Sequence, residues 1–151
     1  NQGFAFDAWG NRLRYALAQV TTPVYAAHFT NKTNLKTNGI SVLPNDLVVC
    51  ASSSGILPAA SPPSCGSIAN SVTNQNTVAA VIYSPGKNGR GQVTLGTDEA
   101  ANENRTGAND AVFISNTPAP TTATNGEFDD QVLWISVYTL YGKLIAASVL
   151  P

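Results

Sequence analysis

Seven of the chain's nine aspartates and glutamates fall between Asp98 and Asp130, with a single basic residue, Arg105, among them. Carboxylate and amide oxygens at this density suit a hard cation such as calcium, which takes about six to eight oxygen ligands. Asp98, Glu99, Asn102, Glu103, Asn109 and Asp110 lie in a polar stretch, Gly89 to Asp110, long enough to wrap an ion, with Asp98, Glu99 and Asp110 the first candidates. The Asp-x-Asp-x-Asp-Gly spacing of an EF-hand is missing. The competing reading is a solvated acidic loop with no ion, since charge clusters commonly form solvated faces. Asp129 and Asp130 read separately, as caps at the start of a strand that accept from turn amides.

Other chemistry has less to work with. His28 is the only histidine and lies in an apolar stretch, Val24 to Phe29, with no nucleophile motif beside it; a general base needs an oriented partner. Gly-x-Ser-x-Gly, His-Glu-x-x-His and a phosphate-cradling glycine loop are all missing, so no enzyme is expected and no catalytic residue is named. The eight basic residues are scattered, with only Arg12 and Arg14 on one strand face, and the net charge is −1. A phosphate track needs several cations together, so no nucleic-acid partner is expected. Asn31-Lys32-Thr33 and Asn104-Arg105-Thr106 fit the N-glycosylation acceptor pattern.

Cys50 and Cys65 flank fourteen residues rich in Ser, Pro, Ala and Gly. A metal site would want more ligands nearby and a redox motif closer spacing. A disulfide stapling that loop, contributing about 3 kcal/mol and implying an oxidising compartment, is the preferred reading; two buried free thiols are the alternative.

These residues must be positioned by 151 residues, enough for one domain with a substantial core. Only 11% are charged, against roughly a quarter in an average domain, and Asn, Thr, Ser, Ala and Gly fill the difference, as suits an extracytoplasmic β-rich surface. No methionine occurs, even at position 1, which reads as a processed or excised piece, and no run approaches the roughly 18 apolar residues of a membrane span. From Arg12 the residues alternate, with Leu13, Tyr15 and Leu17 on one face, predicting a half-buried strand. Val24 to Phe29 predicts a short strand, Asn31 to Asn34 a turn, Gly39 to Leu43 a weak strand, and Leu47 to Ala51 a buried one. Ser52 to Asn76 reads as loop. Val78 to Tyr83 is the most continuously apolar segment and predicts the central strand, ending in a double turn at Ser84 to Gly89. Ala111 to Ser115 and Phe128 to Ser136 predict two more strands. Val137 to Ala147 reads as a helix capped by Ser136, with a strand pair as the alternative.

Asp7-Ala8-Trp9-Gly10-Asn11-Arg12-Leu13-Arg14-Tyr15 combines a turn with the start of the first strand. Gly10 and Asn11 suit positive φ, Asp7 can accept from amides two or three residues on, and Trp9 and Tyr15 are expected to be buried anchors. The string resembles the Asp-x-Trp-Gly-x-x-x-x-Tyr signature that opens the β-region of type II secretion pseudopilins and related type IV pilin-like proteins. Ser84-x-Gly86-x-Asn88-Gly89 resembles their Ser-x-Gly-x-Asp-Gly turn, with Asn88 in place of aspartate. The acidic loop after it resembles their calcium-binding loop. Phe128-Asp129-Asp130-Gln131-Val132-Leu133-Trp134 is similar to the Phe-Asp-Asp-x-Val-x-Trp ending of a prepilin-type subfamily. The resemblance implies an α+β domain, an antiparallel sheet that is mostly β with long loops here, packed against an N-terminal helix absent from this sequence. It also implies a non-enzymatic structural subunit of a type IV pilus or secretion pseudopilus, periplasmic or on the cell surface and anchored to the inner membrane before assembly. Its partners would be sister subunits and the inner-membrane assembly machinery, and any contact with the membrane would run through the absent helix alone. The competing expectation is a free-standing secreted binding module, calcium-dependent or carbohydrate-binding.

Overall fold

The computed structural model describes residues 5–20, 29–89, 95–103 and 111–150. Within them the apolar run around Val81 becomes the middle strand of an antiparallel sheet, ordered β1 (Arg14–Leu17), β3 (Val78–Ser84), β5 (Gln131–Ser136). A second sheet is a parallel pair, β2 (Val48–Cys50) with β4 (Val112–Ile114). Three α-helices complete the α+β arrangement: α1 (Lys32–Asn38), α2 (Thr97–Glu103) and α3 (Val137–Ala146).

Register divides the three-stranded sheet into two faces. Ala16, Val81 and Trp134 form one cross-strand row and Arg14, Tyr83 and Val132 the next. Val81, Tyr83 and Val132 from these rows join Val78 and Ala79 in the main core, with Phe29, Val49, Phe113 and Tyr141. The alternate rows are Tyr15, Ile82, Leu133 and Leu17, Ala80, Ile135. This second face is apolar yet open, with Tyr15 74% and Leu133 69% exposed.

The first strand's alternation is therefore real, but its faces are the reverse of those expected. Tyr15 lies outward and Ala16 packs against the core. β3 decides this, because Val81 and Tyr83 take Ala16 and Arg14 as their opposite numbers and a side-chain period of two leaves no choice thereafter. Trp9 is also not the buried anchor expected. It sits in the turn before Gly10 and is 46% exposed.

β2 separates two cores. Val49 belongs to the main one, while Val48 and Cys50 join Cys65, Val112, Ile114 and Phe128 in a second. The Cys50–Cys65 disulfide is formed, closing the Ser/Pro-rich loop at its neck. Beyond Cys65, the stretch expected to be loop as far as Asn76 carries one short 3-10 turn, Ile68–Asn70.

Local chemistry explains three departures from expectation. Asn31 to Asn34 is not a turn but the start of α1, because the Asn31 side chain accepts from the Thr33 amide at 2.9 Å and Leu35 is buried. Gly39 to Leu43 begins as a 3-10 turn, Gly39–Ser41, rather than a strand: Gly39, at φ +52°, ends α1, and the Tyr141 hydroxyl donates to its carbonyl. The polar stretch after Gly89 holds α2 rather than continuous loop. α3 forms as expected, with Ser136 Oγ accepting from the Thr139 amide at 3.0 Å and Tyr141 meeting Phe29 edge-on at 6.2 Å. The expected strand over Val24 to Phe29 lies outside the described residues apart from Phe29, which is buried.

Candidate functional site

Asp7, at the start of the opening turn, accepts from the amides of Trp9 (3.0 Å) and Asn11 (2.7 Å) through Oδ1. Its Oδ2 accepts from Ser84 Oγ at 2.8 Å. Burial pushes the Asp7 carboxyl up, but the hydrogen bonds from Ser84, Asn11 and Trp9 outweigh it and leave the pKa below its ordinary value. Asn11, buried beside this turn, donates through Nδ2 to the Gly86 carbonyl. The opening turn is thus pinned to the turn that ends β3.

That second turn is in turn pinned to the residues before β5. Gly86 has φ +60°, and a Cβ built on it would stand 1.8 Å from Asp129 Oδ1. The position needs glycine twice over, for its backbone angle and because the Asp129 carboxylate lies against it. The Lys87 amide donates to Asp129 Oδ2 at 3.2 Å, in keeping with the expected capping role of Asp129, and the Lys87 ammonium pairs with Glu127. Gly89 is closed in by the Pro85 ring, 2.4 Å from where its Cβ would be.

α2 supplies the third component. Its buried face is polar: Asp98, Glu99, Asn102 and Glu103 are all nearly inaccessible. Such a face is tolerated because the acceptors of Asp98, Glu99 and Asn102 are met, each hydrogen bond to a charged group being worth about 1.5–3 kcal/mol. Glu99 Oε1 accepts from the Asp129 amide at 2.9 Å, and Oε2 from Asn88 Nδ2 at 2.8 Å and the Gly96 amide at 3.4 Å. Asn102 donates to both the Ile114 carbonyl and Asp130 Oδ2, each at 2.9 Å, and accepts from the Ile114 amide. The Asp98 carboxylate accepts from the Ser53 amide and hydroxyl, Ser52 Oγ, Asn116 and Asn125. Burial opposes its ionisation, yet these donors together hold its pKa below the usual carboxylate value.

Asp130 is the opposite case. Burial pushes its carboxyl up to about 7; Asn102 opposes this, while the charges of Glu99, Asp129 and Glu103 add to it. Beneath it the Tyr83 hydroxyl is also pushed up, first by burial and then by Asp130 and Glu103, while the Arg14 guanidinium lies 5.9 Å over the Tyr83 ring.

Four sequence landmarks far apart in the chain therefore meet in one buried polar junction: Asp7–Asn11, Ser84–Gly89, Asp98–Glu103 and Phe128–Asp130. Trp134 lies further along β5, opposite Val81. Of the six residues expected to form a calcium loop, Asp98, Glu99, Asn102 and Glu103 share one buried helix, whereas Asn109 and Asp110 lie outside the described residues, as does His28. Among the described residues a different set of carboxylates comes together. Glu99, Asp129 and Asp130 each bring an oxygen within 4.8 Å of the other two. Sequence reasoning missed Asn11, Ser52, Ser53, Asn116 and Asn125; only Asn11, inside the opening motif, carried any signal. No protein-family model, characterised protein or solved structure matches this chain significantly.

Proposed function

We propose that this chain is the globular domain of a pilin-like subunit, a non-enzymatic building block of a type IV pilus or a type II secretion pseudopilus. One observation carries the reading. The outer face of the three-stranded sheet is apolar along two cross-strand rows, with Tyr15, Ile82, Leu133 and Ile135 all open to solvent. A sheet stable on its own normally turns polar side chains to water, and one with two apolar faces needs a second layer. An amphipathic helix N-terminal to this sequence is the layer that fits, and its apolar continuation would anchor the subunit in the inner membrane before assembly. The junction at Asp7, Ser84 and Asp129 serves this role by fixing the ends of β1, β3 and β5, so that the face presented to the helix is held in shape. The subunit's work is then mechanical, exposed on the periplasmic or outer side, with sister subunits and the assembly machinery as partners.

The upstream coding sequence tests this directly. A short basic leader followed by about 20 apolar residues with a glutamate near their start is the expected result; an ordinary secretory signal would sink the proposal. In cells, Leu133→Lys should block assembly while leaving the isolated domain folded, because Leu133 is exposed in it.

A carbohydrate-binding secreted module is the second reading, favoured by one cleft. Ser64, Ser71, Thr73, Asn74, Gln75 and Asn76 line a cavity of about 340 Å³ beside the disulfide, offering uncharged donors and acceptors of the kind sugar hydroxyls use. Glycan-array binding abolished by Gln75→Ala would favour it over the pilus.

A further inference from the structure

We propose that Arg14, Tyr83 and Glu103 line a binding site for a free α-amino acid with a small apolar side chain, held in its zwitterionic form. The role goes beyond the pilus reading and does not depend on it. The site is a cavity of about 180 Å³ between the inner face of the three-stranded sheet, the end of α2 and β4. Arg14 and Tyr83 stand opposite each other on β1 and β3, Glu103 is the last residue of α2, and Phe113 is in β4. Pockets for drug-sized ligands hold about 300–1,000 Å³, so this one shuts out a peptide or an oligosaccharide and admits a small metabolite.

Its charges set the chemical class. Arg14 and Glu103 bring opposite charges to one cavity, yet they do not pair with each other: among the described residues the one ion pair is Lys87 with Glu127. The Arg14 guanidinium lies 5.9 Å from the centroid of the Tyr83 ring and donates at 3.4 Å to the Glu103 backbone carbonyl, which leaves most of its N–H donors uncommitted. Glu103 is buried against the same cavity, and the several lone-pair sites of a carboxylate can take an ammonium beside any bond already made. An anion alone would gain Arg14 but meet the Glu103 charge, and a cation alone would meet the reverse. An α-amino acid carries both groups on one carbon, so its carboxylate sits on the guanidinium fork and its ammonium on Glu103, in charge-assisted hydrogen bonds. Ala16 and Phe113 form the apolar part of the wall, which suits a methyl or isopropyl side chain.

Tyr83 supplies an independent sign. It is 1% exposed and lines the cavity, and its hydroxyl is buried without a hydrogen-bond partner. Buried polar groups of this kind are nearly always bonded. A ligand carboxylate drawn to the guanidinium over the ring brings an acceptor to that hydroxyl.

The test is isothermal titration of the folded chain with L-alanine, with L-valine and, as controls, with acetate, methylamine and glycine betaine, whose nitrogen bears no N–H. One molecule of alanine or valine per chain is expected, with each control at least about tenfold weaker. Arg14→Gln, at an exposed position, should fold and weaken amino-acid binding at least about tenfold, and Glu103→Gln should weaken it as much. Tyr83→Phe removes a hydroxyl that has no partner, so it should melt close to the wild type while binding severalfold more weakly. Lys143→Gln, an exposed cation on α3, should leave binding unchanged. Should Glu103→Gln not fold, Arg14→Gln and Tyr83→Phe carry the test alone. The proposal is overturned by an absence of heat at millimolar alanine and valine, by acetate or betaine binding as tightly as the amino acids, or by wild-type affinity in Arg14→Gln or Tyr83→Phe. Any of these results leaves the pilus reading standing, since that rests on the opposite face of the sheet.

Discussion

Replacing Gly86 by alanine tests the junction at its tightest point. The new methyl group would lie 1.8 Å from Asp129 Oδ1, 2.5 Å from its Cγ and 2.9 Å from its backbone oxygen, while the backbone stays at φ +60°. The left-handed conformation alone costs an L-residue about 1–2 kcal/mol. Displacing the carboxylate also removes the Lys87 amide's acceptor, a hydrogen bond to a charged group worth about 1.5–3 kcal/mol. The backbone oxygen, unlike the side chain, cannot swing aside. Together these predict a loss of about 3–5 kcal/mol, a large part of the roughly 5–15 kcal/mol that holds a typical domain. Gly10→Ala is the matched control: its φ is +79°, but nothing lies within 4 Å of the new Cβ, so only the backbone cost of about 1–2 kcal/mol applies. Urea unfolding of both variants supplies the comparison. The double variant Gly86→Ala/Asp129→Ala should recover about 1–2 kcal/mol relative to the sum of the singles, since the residue that clashes is gone. Equal losses for Gly86→Ala and Gly10→Ala, or strict additivity in the double variant, would refute the claim that Asp129 occupies the space a side chain would need.

Three further outcomes are expected. Gly142→Ala should stabilise by about 0.5–1 kcal/mol in thermal unfolding, because Gly142 is exposed inside α3 and its Cβ would meet nothing within 4 Å. Replacing both Cys50 and Cys65 by serine should cost about 3 kcal/mol or more, from the loop of separation 15 that the bridge closes and the burial of both residues; a loss under about 1 kcal/mol would contradict this. Asp130, near 7 when folded against 3.8 unfolded, keeps a proton that the unfolded chain releases. Its contribution is therefore full below the unfolded value and declines as pH rises towards 7, by up to about 1.4 kcal/mol per pH unit. Asp98, with a lowered pKa, acts oppositely: its contribution is present above 3.8 and is lost as pH falls. Urea midpoints measured with chelator should fall from pH 5 to pH 8, and Asp130→Asn should flatten that fall.

The parts of the fold legible in the sequence were those written in apolar letters or in caps. Val78 to Tyr83 is apolar because all of it except Ile82 is buried, and Ser136 signals α3 by the hydroxyl its amides need. α2 escaped notice for a physical reason. Asp98, Glu99, Asn102 and Glu103 recur at helical spacing, but they are polar, and a search for periodic burial expects burial to be apolar. The pairing of β2 with β4 was equally silent, since two three-residue strands separated by more than sixty positions carry no local mark of being partners. For the junction, each motif was visible as a landmark, and Asp7 was expected to bind its own turn's amides, as it does. That Ser84, Gly86, Glu99 and Asp129 converge on one another depends on the sheet register, which no single motif contains.

The order β1-β3-β5 also determines how the domain bears traction. Both outer strands run antiparallel to β3 and so point the same way, with Arg14 opposite Tyr83 at one end of the sheet and Ser136 opposite Val78 at the other. Tension entering at Arg14 and leaving past Ser136 therefore slides β1 and β5 along β3 in opposite directions. The inter-strand hydrogen bonds lie across that line of pull and share the load together, in shear, rather than parting one by one like the teeth of a zip. A chain tugged along its length in this way yields only when the whole central seam gives.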